Sequence, residues 1–199
     1  MDNKETVVSE EKNGNNNISF AKEVLSLILY LGFVFLLTFL ILHFVGQRTT
    51  VSGSSMEVTL SDGDNLIMDK LTYRFSDPKR FDIVVFPYRY AEDRYYIKRV
   101  IGLPGEKVYI DPEGNIFIND ELLTEDYGLA VMEYAGRAAE PIVLGKDEFF
   151  VLGDNRNDSE DSRFEDVGNV KKSEIVGRAW VRIYPFNEIQ FLKGYVAEK

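Results

Sequence analysis

Cysteine is absent from the 199 residues, and histidine occurs once, at position 43. The first absence excludes a thiol nucleophile, a disulfide framework and cysteine-built zinc or iron–sulfur sites. The second leaves a Ser-His-Asp arrangement only His43, at the outer end of an apolar run, where an interfacial role fits better than catalysis. Basic residues are also few: 23 Lys and Arg face 33 Asp and Glu, a formal charge of −10. Nucleic acid is thereby excluded as a main partner, because phosphate binding needs clustered cations. The same imbalance gives no general attraction to anionic lipid, so membrane contact has to come from apolar surface. Low-complexity sequence is confined to the Asn-rich stretch Asn13–Asn17.

Residues 1–21 are mostly polar. Met1–Asn17 in particular has too few large apolar side chains to offset the entropy of ordering, which predicts a disordered tail. Val24 to Val45 is a charge-free, mostly apolar run. As a helix it would be roughly 33 Å long, enough for a hydrocarbon core of about 30 Å. It is longer than the apolar part of a cleavable leader and lacks the polar stripe of a soluble amphipathic helix. Residues 22–46 are therefore expected to form a membrane anchor. Lys4, Lys12 and Lys22 precede the run and only Arg48 lies close after it, a bias that favours a cytoplasmic N-terminus.

Residues 47–199 carry short two-fold patterns rich in Val, Ile, Tyr and Phe. Strands are predicted at Asn65–Asp69, Asp82–Phe86, Tyr95–Ile101, Lys107–Ile110, Ile116–Ile118, Phe149–Leu152 and Arg178–Ile183. Turn residues separate them, as in Asp62-Gly63-Asp64, Leu103-Pro104-Gly105 and Gly153-Asp154-Asn155. Lys107–Asp120 has the form of a hairpin around Asp111–Asn115. Many short strands must close or stack to hide their edges, so the expectation is an all-β, antiparallel, barrel-like domain behind one N-terminal transmembrane helix. Glu125–Glu140 fits no pattern well and reads as an extended insert.

Three segments carry chemistry. Ser52-Gly-Ser-Ser-Met-Glu-Val-Thr-Leu60 holds a candidate nucleophile, Ser55. Tyr96-Ile-Lys-Arg-Val-Ile-Gly-Leu-Pro-Gly105 holds a candidate base, Lys98. Gly153-Asp-Asn-Arg-Asn-Asp-Ser-Glu-Asp-Ser-Arg163 is a polar loop. A serine hydroxyl needs an adjacent base to attack a carbonyl at neutral pH. Burial lowers the pKa of a lysine, and a value near about 7–8 suits a general base. Lys98 lies in an apolar strand, with Tyr96 and Val100 on its own face. Arg99 then points to the opposite face, where its charge is expected to reach solvent. Taken singly, Ser55 would be a turn residue and Lys98 a half-exposed strand lysine.

Their joint order and spacing, however, resemble the bacterial type I signal peptidases, particularly the short Gram-positive type. The resemblance runs from the apolar run through Phe186. It implies a membrane-anchored serine endopeptidase that removes signal peptides from exported preproteins with a Ser55–Lys98 dyad, acting near the export machinery. It implies that the Ser159 hydroxyl hydrogen-bonds and orients the lysine amine, and that Asp154, Asp161 and Arg163 form a supporting polar network. Gly63-Asp64 and Lys70 match a further family segment. Val51, Met56, Leu60, Tyr96 and Ile97 are implied to line shallow apolar pockets for small residues before the cut. The oxyanion donor implied is the Ser55 backbone N–H, with Gly53 standing where longer enzymes carry a hydroxyl. Lipid contact is expected at Phe81, Phe86, Tyr88 and Tyr90. No cofactor is implied, and the acidic loop favours internal ion pairs with Arg156 and Arg163 over a metal.

Two positions depart from the family pattern. Val58 replaces a proline after the nucleophile, and Phe81 replaces a glycine before Asp-Ile-Val-Val-Phe. They put local geometry in question without touching a proposed catalytic atom. Two other readings compete. A soluble self-cleaving Ser-Lys repressor is opposed by the apolar run and the acidic balance. A membrane-anchored binding protein without activity is opposed by intact Ser55, Lys98 and Ser159.

Overall fold

The structure, a computed structural model, describes residues 3–40, 46–91 and 93–192. His43 and the last residues of the apolar run lie outside them. Two compact units result, Met1–His43 and Phe44–Lys199.

The first unit is helix α1, Asn3–Leu40. Within it, Lys22–Leu40 is long and apolar enough to cross a membrane, and its apolar side chains are exposed. The helix also takes in residues 3–17, where composition predicts a disordered tail. Extending a helix already nucleated by an apolar run adds one hydrogen bond per residue without a new nucleation cost. Glu10, Glu11 and Lys12 are good helix formers.

The regular structure of the second unit is mostly antiparallel sheet. Its strands are β1 Gly46–Thr50, β2 Asn65–Asp69, β3 Ile83–Pro87, β4 Tyr95–Gly102, β5 Lys107–Ile110 and β6 Ile116–Ile118. They continue as β7 Glu121–Leu122, β8 Ile142–Val143, β9 Glu148–Leu152, β10 Val170–Lys171, β11 Gly177–Tyr184 and β12 Gln190–Phe191. One short helix, α2, spans Thr72–Phe75. The larger sheet has the order β1-β2-β11-β3-β4-β9-β10, with β12 added to β11. The smaller sheet has the order β7-β6-β5-β8. Both are open, so the closed barrel expected from the strand pattern is not found. Three of the four sheet edges are two-residue strands, β7, β8 and β10, while β1 leaves a five-residue edge.

The long strands obey the period-two rule where one face is solvated, as in β5 and β6. β4 does not: from Lys98 to Gly102 every residue is buried. Both faces of its second half are covered. Ile101 joins a cluster with Val108, Ile110, Ile116 and Phe150. Val100 joins another with Val84, Phe86, Phe149 and Val151. Arg99 accordingly is 1% exposed and does not reach solvent. Phe81 and Phe86 are also buried, which removes both from the lipid-facing set expected of them; Tyr90 is exposed and Tyr88 half-buried.

Glu125–Glu140 is more anchored than an extended insert: Met132 and Ala138 are buried in the cluster around Ile110. The C-terminal stretch also contributes, since β12 pairs with β11 and Leu192 packs with Val51, Met56 and Leu60. Phe81 adopts φ +70°, a left-handed conformation that favours glycine. A non-glycine residue there costs about 1–2 kcal/mol, whereas burying a Phe ring contributes about 3–5 kcal/mol, so the ring more than offsets the strain. It packs on Tyr127 with ring centroids 5.1 Å apart.

Candidate active site

The segment bearing Ser55 is pinned at both ends. Val51 N–H donates to Asp64 O at 2.8 Å, and Gly63 N–H returns to Val51 O at 3.0 Å. Met56 and Leu60 then plug into a core with Leu66, Ile83 and Ala179. Burying Met56 leaves its neighbour Ser55 half-exposed in a cleft of about 970 Å³. The end of β1, the Ser55 segment, the first half of β4 and residues 157–160 form the walls.

Lys98 enters this cleft from β4, opposite Val84 of β3. Its Nζ donates to Ser55 Oγ at 2.6 Å. The residue is 2% exposed. Burial pushes its pKa from the usual 10.5 down to about 8, against the opposing pull of Asp161, Glu160 and Asp154; Arg94 lowers it further. A neutral amine is therefore accessible near neutral pH, and its lone pair can accept the Ser55 proton along the same contact.

The polar loop after β9 is held by buried ion pairs. Asp161 takes both Nε and Nη2 of Arg163 at 2.8 Å. Asp154 pairs instead with Arg99, through Nε at 2.8 Å and Nη2 at 2.6 Å. It also accepts from Thr59 Oγ1 at 2.6 Å, which ties the Ser55 segment to the loop. Arg156 links onward to Glu125 at 2.6 Å and to Gly153 O at 3.0 Å. Arg163 Nη2 donates to Arg156 O at 2.6 Å. Asn155 N–H donates to Ser55 O at 3.1 Å, the direct joint between loop and nucleophile segment. Gly153 makes this joint possible, since a Cβ there would sit 2.2 Å from Ser159 Oγ and 2.5 Å from Ser55 O.

Ser159 lines the cleft. Its hydroxyl is buried without a hydrogen-bond partner among the described residues, so the expected bond to the lysine amine is not formed here. Val51, Met56, Tyr96 and Ile97 line the cleft; Leu60, expected with them, lies fully buried behind it. Lys70 belongs to a different surface hollow, near Tyr73 and Lys172. Asp64 is paired to Arg182 at 3.0 Å, which fixes the turn beneath the nucleophile segment. Gly53 N–H is taken by Asp62 Oδ1 at 2.8 Å, and Ser54 Oγ donates to Asp158. Val58 is 69% exposed. Thus its side chain is remote from the packing that fixes Ser55. Arg156 does form an internal ion pair, as its place in the acidic loop suggests, whereas Thr59 and Glu125 carry no sequence signal and Arg99 is buried rather than solvated. Only the burial of both faces of β4 reveals that Arg99 must find a carboxylate.

Comparison with known proteins gives one family. A model of the signal peptidase family, peptidase S26, matches residues 24–184. A probable signal peptidase I-2 of Synechocystis is 39% identical over 154 residues, 75% of this chain and 68% of its own. The signal peptidase I of Leptolyngbya laminosa is 40% identical, over 73% of this chain and 72% of its own. The signal peptidase I T of Bacillus subtilis is 32% identical over 94% of this chain and its whole length.

Proposed function

The chain belongs to the signal peptidase family, peptidase S26, and we propose that it is a membrane-anchored serine endopeptidase working through a Ser55–Lys98 dyad. The observation that carries this reading is the 2.6 Å contact between Lys98 Nζ and Ser55 Oγ, with the amine buried and its pKa held near 8. Neutral Lys98 takes the Ser55 proton as Oγ attacks the scissile carbonyl. The resulting ammonium then protonates the departing amine. A water deprotonated by Lys98 attacks the acyl-serine, and Ser55 leaves with its proton restored. The Ser55 N–H donates to the oxyanion, because the neighbouring Gly53 N–H and Ser54 hydroxyl are already engaged.

An extended signal peptide fits the cleft walls. β1 pairs only with β2, and Tyr95–Ile97 of β4 pair only with β3 among the described strands, because β9 begins its pairing at Arg99. The free backbone edges can hydrogen-bond a peptide strand. Val51, Met56, Tyr96 and Ile97 then offer shallow apolar contacts for the small residues before the cut. Asp154, Asp161 and Arg163 keep the loop in register, and Ser159 lines the same cleft as Lys98 with an uncommitted hydroxyl.

Wild-type protein in detergent or lipid is expected to cut a preprotein once, after a small residue, as read by mass spectrometry. Several preproteins left intact by folded protein would favour an anchored binding protein instead. The Lys22–Leu40 segment serves as the anchor, with the N-terminus cytoplasmic, and residues 47–199 as the extracytoplasmic peptidase domain. Lipid contact is assigned to Trp180, Tyr184, Phe186 and Phe191, all exposed, rather than to Phe81 and Phe86. Trp180 and Phe191 lie 5.7 Å apart and are joined through the pairing of β11 with β12. Trp180 is the single tryptophan and is 42% exposed. Brominated lipids are expected to quench its fluorescence in the reconstituted full chain; fluorescence equal to that in unbrominated vesicles would remove this surface from the bilayer.

A further inference from the structure

Glu160 differs from the other carboxylates around Lys98. Asp154 is matched by Arg99 and Asp161 by Arg163. Glu160 has no cation within 4.0 Å among the described residues. Its partner is a phenol: the Tyr96 hydroxyl donates to Oε2. That bond spans the cleft, joining β4 to the loop that follows β9. It also meets the dyad. Tyr96 precedes Lys98 by two residues on one strand face, and its ring centroid lies 5.0 Å from Lys98 Nζ. The ring is itself stacked, 4.9 Å from the Tyr88 ring and 5.2 Å from the Arg94 guanidinium.

We propose that Glu160 is a positioning residue of the dyad, which holds Tyr96 across the cleft and sets the lower pH limit of Lys98 as a base. This inference rests on the Ser55–Lys98 reading. β4 presents Tyr96 to Lys98, the turn just before it presents Arg94, and the loop presents Asp154, Glu160 and Asp161. The nucleophile segment presents the Ser55 hydroxyl, and β3 presents uncharged Val84. Asp93 and Asp158 also line the cleft, Asp158 engaged by Ser54. An unpaired carboxylate favours the ammonium form and so keeps the base protonated to higher pH. The phenol bond restrains that carboxylate from pairing with the amine outright. Glu160 supports the ammonium, and Tyr96 limits how far.

The test is the pH profile of kcat/KM for preprotein cleavage by the full chain. Glu160→Gln keeps an acceptor for Tyr96 but removes the charge. Its acid limb is expected about half a pH unit lower, roughly a threefold gain well below the limb, with the alkaline plateau within about twofold of wild type. Tyr96→Phe keeps the ring but frees the carboxylate, and its limb is expected to move the other way. Asp158→Asn removes a nearby carboxylate on the same wall and is expected to leave the limb in place. An unmoved limb in Glu160→Gln, or a shift in the same direction in Glu160→Gln and Tyr96→Phe, overturns the proposal. Ser55→Ala run alongside separates the two levels. Residual cleavage there sinks the dyad, whereas a silent Ser55→Ala with an unmoved limb sinks only the role of Glu160.

Discussion

Lys98→Met is expected to abolish cleavage and to make the protein more stable at pH 7. Removing the base leaves Ser55 without a proton acceptor at 2.6 Å, and no histidine exists among the described residues to replace it. Loss of one member of such a pair costs about 10⁴-fold or more in kcat. The stability gain follows from the same burial that makes the lysine useful. A pKa held near 8 in the folded chain, against 10.5 when unfolded, corresponds to about 3 kcal/mol. The sign is fixed by which state binds the proton more tightly, here the unfolded one. Below about pH 8 both states are protonated and the penalty is fully present. It fades as pH rises from about 8 to 10.5, because the folded chain gives up its proton first. Met has similar volume and no charge to desolvate. Thermal unfolding at pH 7 should therefore place Lys98→Met above wild type, with the gap closing by about pH 10.5. Ser55→Ala should be equally silent yet keep the wild-type pH slope, since Lys98 remains. A less stable Lys98→Met at pH 7, or one that still cuts, would show that the buried amine is not the strained base inferred here.

Much of this was legible in the chain. Asn65–Asp69, Lys107–Ile110 and Ile116–Ile118 are strands at the residues their alternation predicts. The Asp111–Asn115 turn closes its hairpin, with Asp111 O accepting from Gly114 N–H. Ser55 and Lys98 were found by their motif company and are brought into contact. What stayed hidden has common physical causes. β8, β10 and β12 are two residues long, too short for any period to register. β1 is polar and half-exposed, and its existence depends on pairing with β2. Alternation puts Arg99 in solvent because it assumes one wet face, and the second half of β4 has two dry ones. The bond from Ser159 to the lysine amine that the family resemblance implies is not formed, and no local pattern in the chain bears on it. Sheet closure follows from the strand pattern only if every edge must be hidden; here β7, β8 and β10 are short edges and β1 stays open beside the cleft.

Asp154→Ala should be the most destabilising single change near the cleft. The carboxylate is fully buried and accepts from Arg99 Nε, Arg99 Nη2 and Thr59 Oγ1. Removing it strands the Arg99 guanidinium, which keeps only the Phe81 carbonyl at 3.0 Å, Thr59 Oγ1 and the face of Tyr127 at 3.7 Å. An uncompensated buried charge of this kind costs about 3–5 kcal/mol. For a domain of this size that is roughly 10 °C or more in melting temperature. The damage should reach the dyad, because Thr59 and Asn155 tie the Ser55 segment to this loop. Cleavage at a permissive temperature is therefore expected to fall further than the lost folded fraction explains. A double variant separates the pair from its burial. Arg99→Met with Asp154→Leu leaves no charge unpaired and should be far more stable than Asp154→Ala alone. If the double variant is as unstable as Asp154→Ala, the loss comes from packing rather than from a stranded cation. If Asp154→Ala melts within a degree or two of wild type, the Arg99–Asp154 pair does not hold the loop against β4. Positioning of the base must then rest on the remaining buried pairs of the loop, Asp161 with Arg163 and Arg156 with Glu125.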